Sequence, residues 1–154
     1  MKYIDYAITF LEFPDEVSLC INISGCPIHC EACHSKYLWK DEGNVLNEQV
    51  IDTLLANNKG VTLIGFMGGD SDPFEINKLA KYSKSKGVKV GWYSGCSELS
   101  KEIDLTNFDY VKLGPYIKEK GPLNMKTTNQ VMLAVNHDFT KPIVVDITSR
   151  FWNI

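Results

Sequence analysis

The chain has 154 residues, 44% of them hydrophobic and 23% charged, and a formal net charge of −3. That apolar content can fill the core of one domain, expected over residues 1–154, with about 70% of the unfolded surface buried and no metal needed for folding. Lys and Arg are scattered rather than gathered into a stripe, which argues against a nucleic-acid partner; without an 18-residue apolar run or a leader-like start, no membrane span is expected and the location is expected to be cytoplasmic.

Residues 3–10 and 17–23 have strand character, separated by a turn at Pro14-Asp15. In the second segment Val17, Leu19, Ile21 and Ile23 alternate with Ser18, Cys20 and Asn22, so Cys20 faces away from the larger apolar residues. The segment empties into Ser24-Gly25 and then Cys26-Pro-Ile-His-Cys30-Glu-Ala-Cys33, a loop just past a strand end. A helix is expected from Asn47, whose side chain can cap free backbone donors, with Val50, Ile51, Leu54 and Leu55 as its apolar stripe and Gly60 as its stop. Strand Val61 to Phe66 then feeds Met67-Gly68-Gly69-Asp70. The next helix is signalled by Asp72 as N-cap, Pro73 at the first helical position and Glu75 completing an acidic capping box, with Ile76, Leu79 and Ala80 buried and Gly87 stopping it. Val88 to Tyr93 is a strand, Ser97 caps a short helix reaching Glu102, and Tyr110 to Leu113 is another strand. Val131 to Val135 fits either a strand or a helix, and Ile143 to Ile147 is a final strand.

Strands and helices alternating over short connections point to an α/β chain with right-handed crossovers on a mostly parallel sheet. Such sheets bind ligands beyond the carboxyl ends of their strands. The cysteine loop, Gly68-Gly69, Tyr93-Ser94-Gly95 and Gly114-Pro115 all follow strand ends, so one rim can hold all four.

Five cysteines is an odd number, and three fall within eight residues, which suits ligation in a reducing compartment better than a secreted disulfide framework. Cys26, Cys30 and Cys33 have the spacing C-x3-C-x2-C. Three thiolates on one short loop can hold three irons of a cubane and leave the fourth iron open. The competing arrangement is zinc with His29 or His34 as fourth ligand, although the second cysteine pair that zinc sites commonly use is missing unless Cys96 supplies part of it. Cys20 reads as strand packing, and Cys96 belongs near the rim without a ligand role.

The C-x3-C-x2-C loop after the second strand, followed by Gly68-Gly69-Asp70 after the next, resembles the radical S-adenosylmethionine superfamily. Cys33-His34-Ser35, Trp92-Tyr93-Ser94-Gly95, Asp109 to Tyr116 and Thr128-Asn129-Gln130 resemble segments of the activating-protein family of anaerobic ribonucleoside-triphosphate reductase, with Ala32 in place of the aromatic residue many radical enzymes carry before the third cysteine. The resemblance spans roughly residues 15–131. It implies a compact, partial (β/α) barrel, since eight full units usually need about 250 residues. It also implies a [4Fe-4S] cluster on Cys26, Cys30 and Cys33, with S-adenosyl-L-methionine as the second cofactor. Gly68 and Gly69 would then let the backbone approach the methionine end of the nucleotide, Asp70 would orient that turn or accept from the amine, and Tyr93 and Ser94 would reach ribose or adenine. His34 would steady Cys33 or a cluster sulfur, and Asn129 and Gln130 would belong to the partner surface. The implied activity is formation of a glycyl radical on the large catalytic subunit of the reductase, fed by a low-potential electron donor such as flavodoxin or ferredoxin. Two alternatives remain open from the residues: a radical enzyme acting on another glycyl-radical protein or on a small molecule, and a zinc-binding interaction domain.

Overall fold

The computed structural model describes residues 1–152; Asn153 and Ile154, the last two positions of the expected 1–154 domain, lie outside the described residues. Eight strands form one sheet: β1 (Lys2–Thr9), β2 (Ser18–Ile23), β3 (Asn44–Val45), β4 (Leu63–Met67), β5 (Lys89–Tyr93), β6 (Tyr110–Leu113), β7 (Val131–Asn136) and β8 (Ile143–Asp146), in the order β3-β1-β2-β4-β5-β6-β7-β8. Two α-helices are present among the described residues, α1 (Glu48–Asn57) and α2 (Pro73–Ser85).

This architecture corrects the expected partial (β/α) barrel with a mostly parallel sheet. Only the central pairs β2–β4, β4–β5 and β5–β6 are parallel; β3–β1, β1–β2, β6–β7 and β7–β8 are antiparallel. The reason lies in the connections. A parallel return needs a crossover of a dozen or more residues, whereas the β1–β2 and β7–β8 links are short and contain no helix, so those strands can only reverse. The short helix expected from Ser97 to Glu102 is also absent: the segment forms bends and a turn, followed by a 3-10 turn at Leu105–Asn107 capped by Asp104. Six residues make fewer than two helical turns, too few to offset the cost of nucleation. Val131 to Val135 resolves as strand. The two-residue β3 at the sheet edge has no signature in the sequence.

Both helices pack on one face of the sheet. Leu19, Ile21 and Ile23 of β2, Ile64 and Phe66 of β4, Val90 and Trp92 of β5 and Val111 of β6 meet Ile51 and Leu54 of α1 and Ile76, Leu79 and Ala80 of α2 in one buried cluster. The caps are those the sequence indicates: Asn47 Oδ1 accepts from Val50 N at 2.9 Å, and Asp72 Oδ1 accepts from Glu75 N at 3.1 Å. At the amino ends of the parallel strands, buried Glu16 accepts from Lys89 Nζ at 2.6 Å and from Thr62 Oγ1 at 2.6 Å. Asp109 accepts from Val90 N at 2.9 Å and from Lys84 Nζ at 3.0 Å. Each carboxylate thus joins neighbouring strands through charge-assisted bonds.

The helix-free face is built differently. Cys20, Gly65 and Gly91 pair in register across β2, β4 and β5 and leave a shallow floor. Phe13, fully buried, lies across that floor; a Cβ at Gly65 would come within 2.7 Å of its ring, and one at Gly91 would penetrate it. Tyr93 meets the same ring edge-on at 5.2 Å between centroids. The β1–β2 connection is therefore tucked under the sheet.

Gly91→Ala is expected to destabilise the protein by about 1–3 kcal/mol through overpacking against Phe13. Urea unfolding checks this, and adding Phe13→Leu to Gly91→Ala should return part of the loss. Full stability in the single variant would contradict the seating of Phe13 on the glycine floor.

Candidate metal centre

The loop of residues 24–33 leaves the carboxyl end of β2 under tight backbone control. Buried Ser24 donates its hydroxyl to Glu42 O at 2.6 Å, Gly25 N donates to Lys40 O at 3.1 Å, and Cys26 N donates to Leu38 O at 3.0 Å. The 3-10 turn Lys36–Leu38 and the segment after it thus form the back wall of the loop. His29 takes a positive φ of 51° and stacks on Trp39 with 4.3 Å between ring centroids and 10° between planes. This left-handed residue lets the chain turn between Cys26 and Cys30.

Cys26, Cys30 and Cys33 are free thiols of intermediate exposure. Cys33 N donates to Cys30 O at 3.1 Å, and Ser35 N donates to Cys33 Sγ at 3.3 Å. Backbone N–H bonds to cysteine sulfur are among the contacts that orient and tune cluster ligands. His34, expected beside that sulfur, is exposed and meets Tyr116 edge-on at 5.3 Å, so the sulfur contact belongs to the backbone of the next residue. Among the described residues, no group of three or more His, Cys, Asp or Glu side chains converges as for a single metal ion. A cubane binds each thiolate at a different iron and does not require that convergence. Half-exposed thiols on a hydrogen-bonded loop suit a cluster in this respect.

The turns after β4 and β5 meet the cysteine loop. Gly68 and Gly69 have φ of 106° and 94°, in the left-handed region that glycine alone enters freely. Gly69 also needs its missing side chain, because a Cβ there would sit 2.5 Å from Ile76 Cδ1. Gly68 O accepts from Trp92 Nε1 at 2.7 Å and Gly68 N donates to Tyr93 O at 3.0 Å, so this peptide is paired within the protein. Asp70 ties the two turns together: one carboxylate oxygen accepts a short bond from the Ser94 hydroxyl, and the other accepts from Gly95 N at 2.8 Å. Ser94 is 2% exposed, and its hydroxyl oxygen also accepts from Cys96 N at 3.1 Å. The side chain of Ile28, inside the cysteine loop, packs against Gly95, where a Cβ would come within 2.8 Å of it. Tyr93 turns its hydroxyl away from the rim and donates to Glu12 O at 2.8 Å. The structure thus brings Cys26, Cys30, Cys33, Gly68, Gly69, Asp70 and Ser94 to one rim, while the Tyr93 side chain belongs to the helix-free face.

The other rim segments are held from behind. Asn129 Nδ2 donates to Pro115 O at 2.9 Å, and buried Gln130 directs its amide to Gly114 O at 3.4 Å. These residues brace the Gly114-Pro115 turn from inside. Cys96 lies beside Asp70; burial pushes its thiol up, and the charges of Asp70 and Cys26 add to the rise against a lowering hydrogen bond from Ser94. A cavity of about 490 Å³ adjoins the loop, bounded by Glu31, Ala32, Tyr116 and Lys118.

Lys112 was not expected here. It lies between Val111 and Leu113 on β6, and its ammonium sits 4.8 Å from the centroid of the Tyr93 ring. Burial pushes it down, opposed by the negative charges of Cys30, Glu12 and Asp70. The signal available in the sequence was a single charged residue at the alternate position of an otherwise apolar strand.

These features describe an iron–sulfur protein. Residues 17–102, more than half of the chain, match the family described as a 4Fe-4S single cluster domain, and the chain belongs to that family. No curated protein and no solved structure matches it. The family favours a cluster over the zinc alternative. No helix among the described residues is long and apolar enough to cross a membrane.

Asp70→Ala leaves the Ser94 hydroxyl and Gly95 N without their acceptor and is expected to cost about 1–3 kcal/mol. Urea unfolding and proteolytic cutting within residues 94–97 check this; a variant as stable as the parent would exclude the carboxylate as the tie. Cys20 provides a pH test. Burial, with Glu12 adding to it, pushes its thiol from 9.0 up to about 12. The raised folded value means this group costs nothing below pH 9; above it the unfolded thiol ionises while the folded thiol does not. Stability should fall by about 1.4 kcal/mol per pH unit between 9 and 12. Cys20→Ala should flatten that slope in urea titrations.

Proposed function

We propose that this chain is a radical S-adenosylmethionine activase that installs a glycyl radical on the large catalytic subunit of anaerobic ribonucleoside-triphosphate reductase. The observation that carries the reading is the common rim: the C-x3-C-x2-C loop after β2, the Gly68-Gly69-Asp70 turn after β4 and the Tyr93-Ser94-Gly95 turn after β5 adjoin on three neighbouring parallel strands. A cluster and a nucleotide that must touch each other need their holding segments to share one such edge.

Cys26, Cys30 and Cys33 would hold the cluster through deprotonated sulfurs, with Ser35 N stabilising the charge on Cys33. When bound, the cluster would supply the low-potential electron for reductive cleavage of S-adenosylmethionine, the chemistry by which a hydrogen atom would be lost from the glycine α-carbon. The chain's own work is positional. Asp70 fixes the spacing of the two turns that would face the nucleotide, and Ile28 against Gly95 fixes the cysteine loop relative to them. Lys112 offers a positive charge near Cys30 and Asp70 and offsets part of the negative potential that gathers there. The low-potential donor would be a flavodoxin or ferredoxin, in the cytoplasm where both cofactors stay reduced and supplied.

Anaerobic reconstitution is expected to load about four irons and four sulfides per chain. Cys26→Ala, Cys30→Ala and Cys33→Ala should each lose stable cluster and activity, whereas Cys20→Ala and Cys96→Ala should keep the cluster. Iron and sulfide analysis joined to electron paramagnetic resonance checks the ligand set; full loading of all three loop variants would defeat it. With reductant and S-adenosylmethionine supplied, a radical should appear on the reductase and be absent when its glycine is changed to alanine.

A further inference from the structure

One polar atom behind the cysteine loop has no use within the fold. Trp39 Nε1 is shut off from solvent and donates to no acceptor among the described residues. A buried donor in that state costs about 1–3 kcal/mol, so native proteins seldom leave one without a partner. The carbonyls around it already serve other donors. Ser35 O accepts from Leu38 N, Lys36 O from Trp39 N, Leu38 O from Cys26 N, Lys40 O from Gly25 N and Glu42 O from the Ser24 hydroxyl.

The position of the indole says what can reach it. Its ring stacks on His29 with 4.3 Å between centroids, and His29 immediately precedes Cys30. The residues on either side of Trp39 hold the other end of the same span, Leu38 O through Cys26 N and Lys40 O through Gly25 N. Trp39 therefore serves the Cys26–Cys30 half of the loop, just as Ser35, whose N–H meets Cys33 Sγ, serves the other half. A four-iron cluster held by three thiolates carries net negative charge, and its sulfurs accept hydrogen bonds that tune its potential. An ordered water is the competing partner. A buried water usually satisfies about three otherwise unpaired groups, yet the other unpaired buried atoms, Ser18 Oγ, Asn129 Oδ1 and Trp152 Nε1, belong to other segments.

We propose that Trp39 Nε1 donates a hydrogen bond to a sulfur of the cluster on its Cys26–Cys30 side and thereby raises the cluster's reduction potential. The sign follows from charge. Reduction adds a negative charge to the sulfurs, the N–H bond strengthens with that charge, and the reduced state gains more than the oxidised one. The inference rests on the seating of the cluster on Cys26, Cys30 and Cys33, and not on the use made of the radical.

Pulsed electron paramagnetic resonance of the reduced, cluster-loaded chain, with its tryptophans isotopically labelled at the indole nitrogen, tests this. A weak nitrogen coupling is expected, lost in Trp39→Phe and kept in Trp152→Phe. At a fixed solution potential, Trp39→Phe should also lower the ratio of reduced to oxidised cluster by about threefold or more, with iron content unchanged. If Trp39→Phe takes up less iron than the parent, benzothienylalanine at position 39 keeps the two-ring shape without the N–H and should give the same two results. A parent without the coupling, as a bound water would leave it, a coupling that survives loss of the Trp39 N–H, or an unchanged ratio would each overturn the inference. None of these readouts involves S-adenosylmethionine. A chain that shows the coupling and the altered ratio but cleaves no S-adenosylmethionine would remove the activase reading alone and keep the role of Trp39.

Discussion

The carboxylate of Asp70 is the constraint on which the rim depends. Parallel strands end side by side, but nothing in strand pairing fixes the loops that leave them. In this chain one side chain accepts from the hydroxyl and the backbone of two successive residues on the neighbouring loop, Ser94 and Gly95. Ser94 in turn accepts from Cys96 N, and Gly114 N donates to Cys96 O at 2.8 Å, so the chain of contacts reaches the loop after β6. Three strand ends, those of β4, β5 and β6, are thereby made into one surface. The cysteine loop joins it by packing, with Ile28 seated where Gly95 lacks a side chain.

A second constraint works on the opposite side of the same strands. Gly65 and Gly91 remove two side chains from the middle of the sheet, and Phe13 occupies the space. Glycine in a strand interior costs stability by its own entropy and lost packing. Here the cost is offset by burying a large aromatic ring that also orders the β1–β2 connection, and with it Leu11 and Glu12. The floor thus decides how the helix-free face is divided: closed where Phe13 lies, open nearer the strand carboxyl ends.

Much of this was legible in the sequence because it is written in local chemistry. The alternation in Val17 to Ile23 placed Cys20 correctly on the helix-free face, and the Asn47 and Asp72 caps located both helices. The rim was legible because four glycine-containing or cysteine-containing turns follow four strands. What local pattern could not supply was strand direction. The expected barrel assumed that each connection crosses over, yet residues 94–109 connect β5 to β6 without an α-helix, and the outer strands reverse. Nor could pattern show that Tyr93 turns its ring toward Phe13 or that Gln130 is buried behind Gly114, since both depend on contacts between segments distant in the chain.

Charge placement gives the last step. The rim gathers three thiols, the Asp70 carboxylate and, a short way off, Glu12. Two features bring positive potential to this group without a direct ion pair. Ser35 N meets Cys33 Sγ, and the Lys112 ammonium, held over the face of Tyr93 instead of against a carboxylate, spreads its field over Cys30, Asp70 and Glu12 together. A salt bridge would have neutralised one acid and left the others unscreened. Holding the cation on an aromatic face keeps it available to the whole rim.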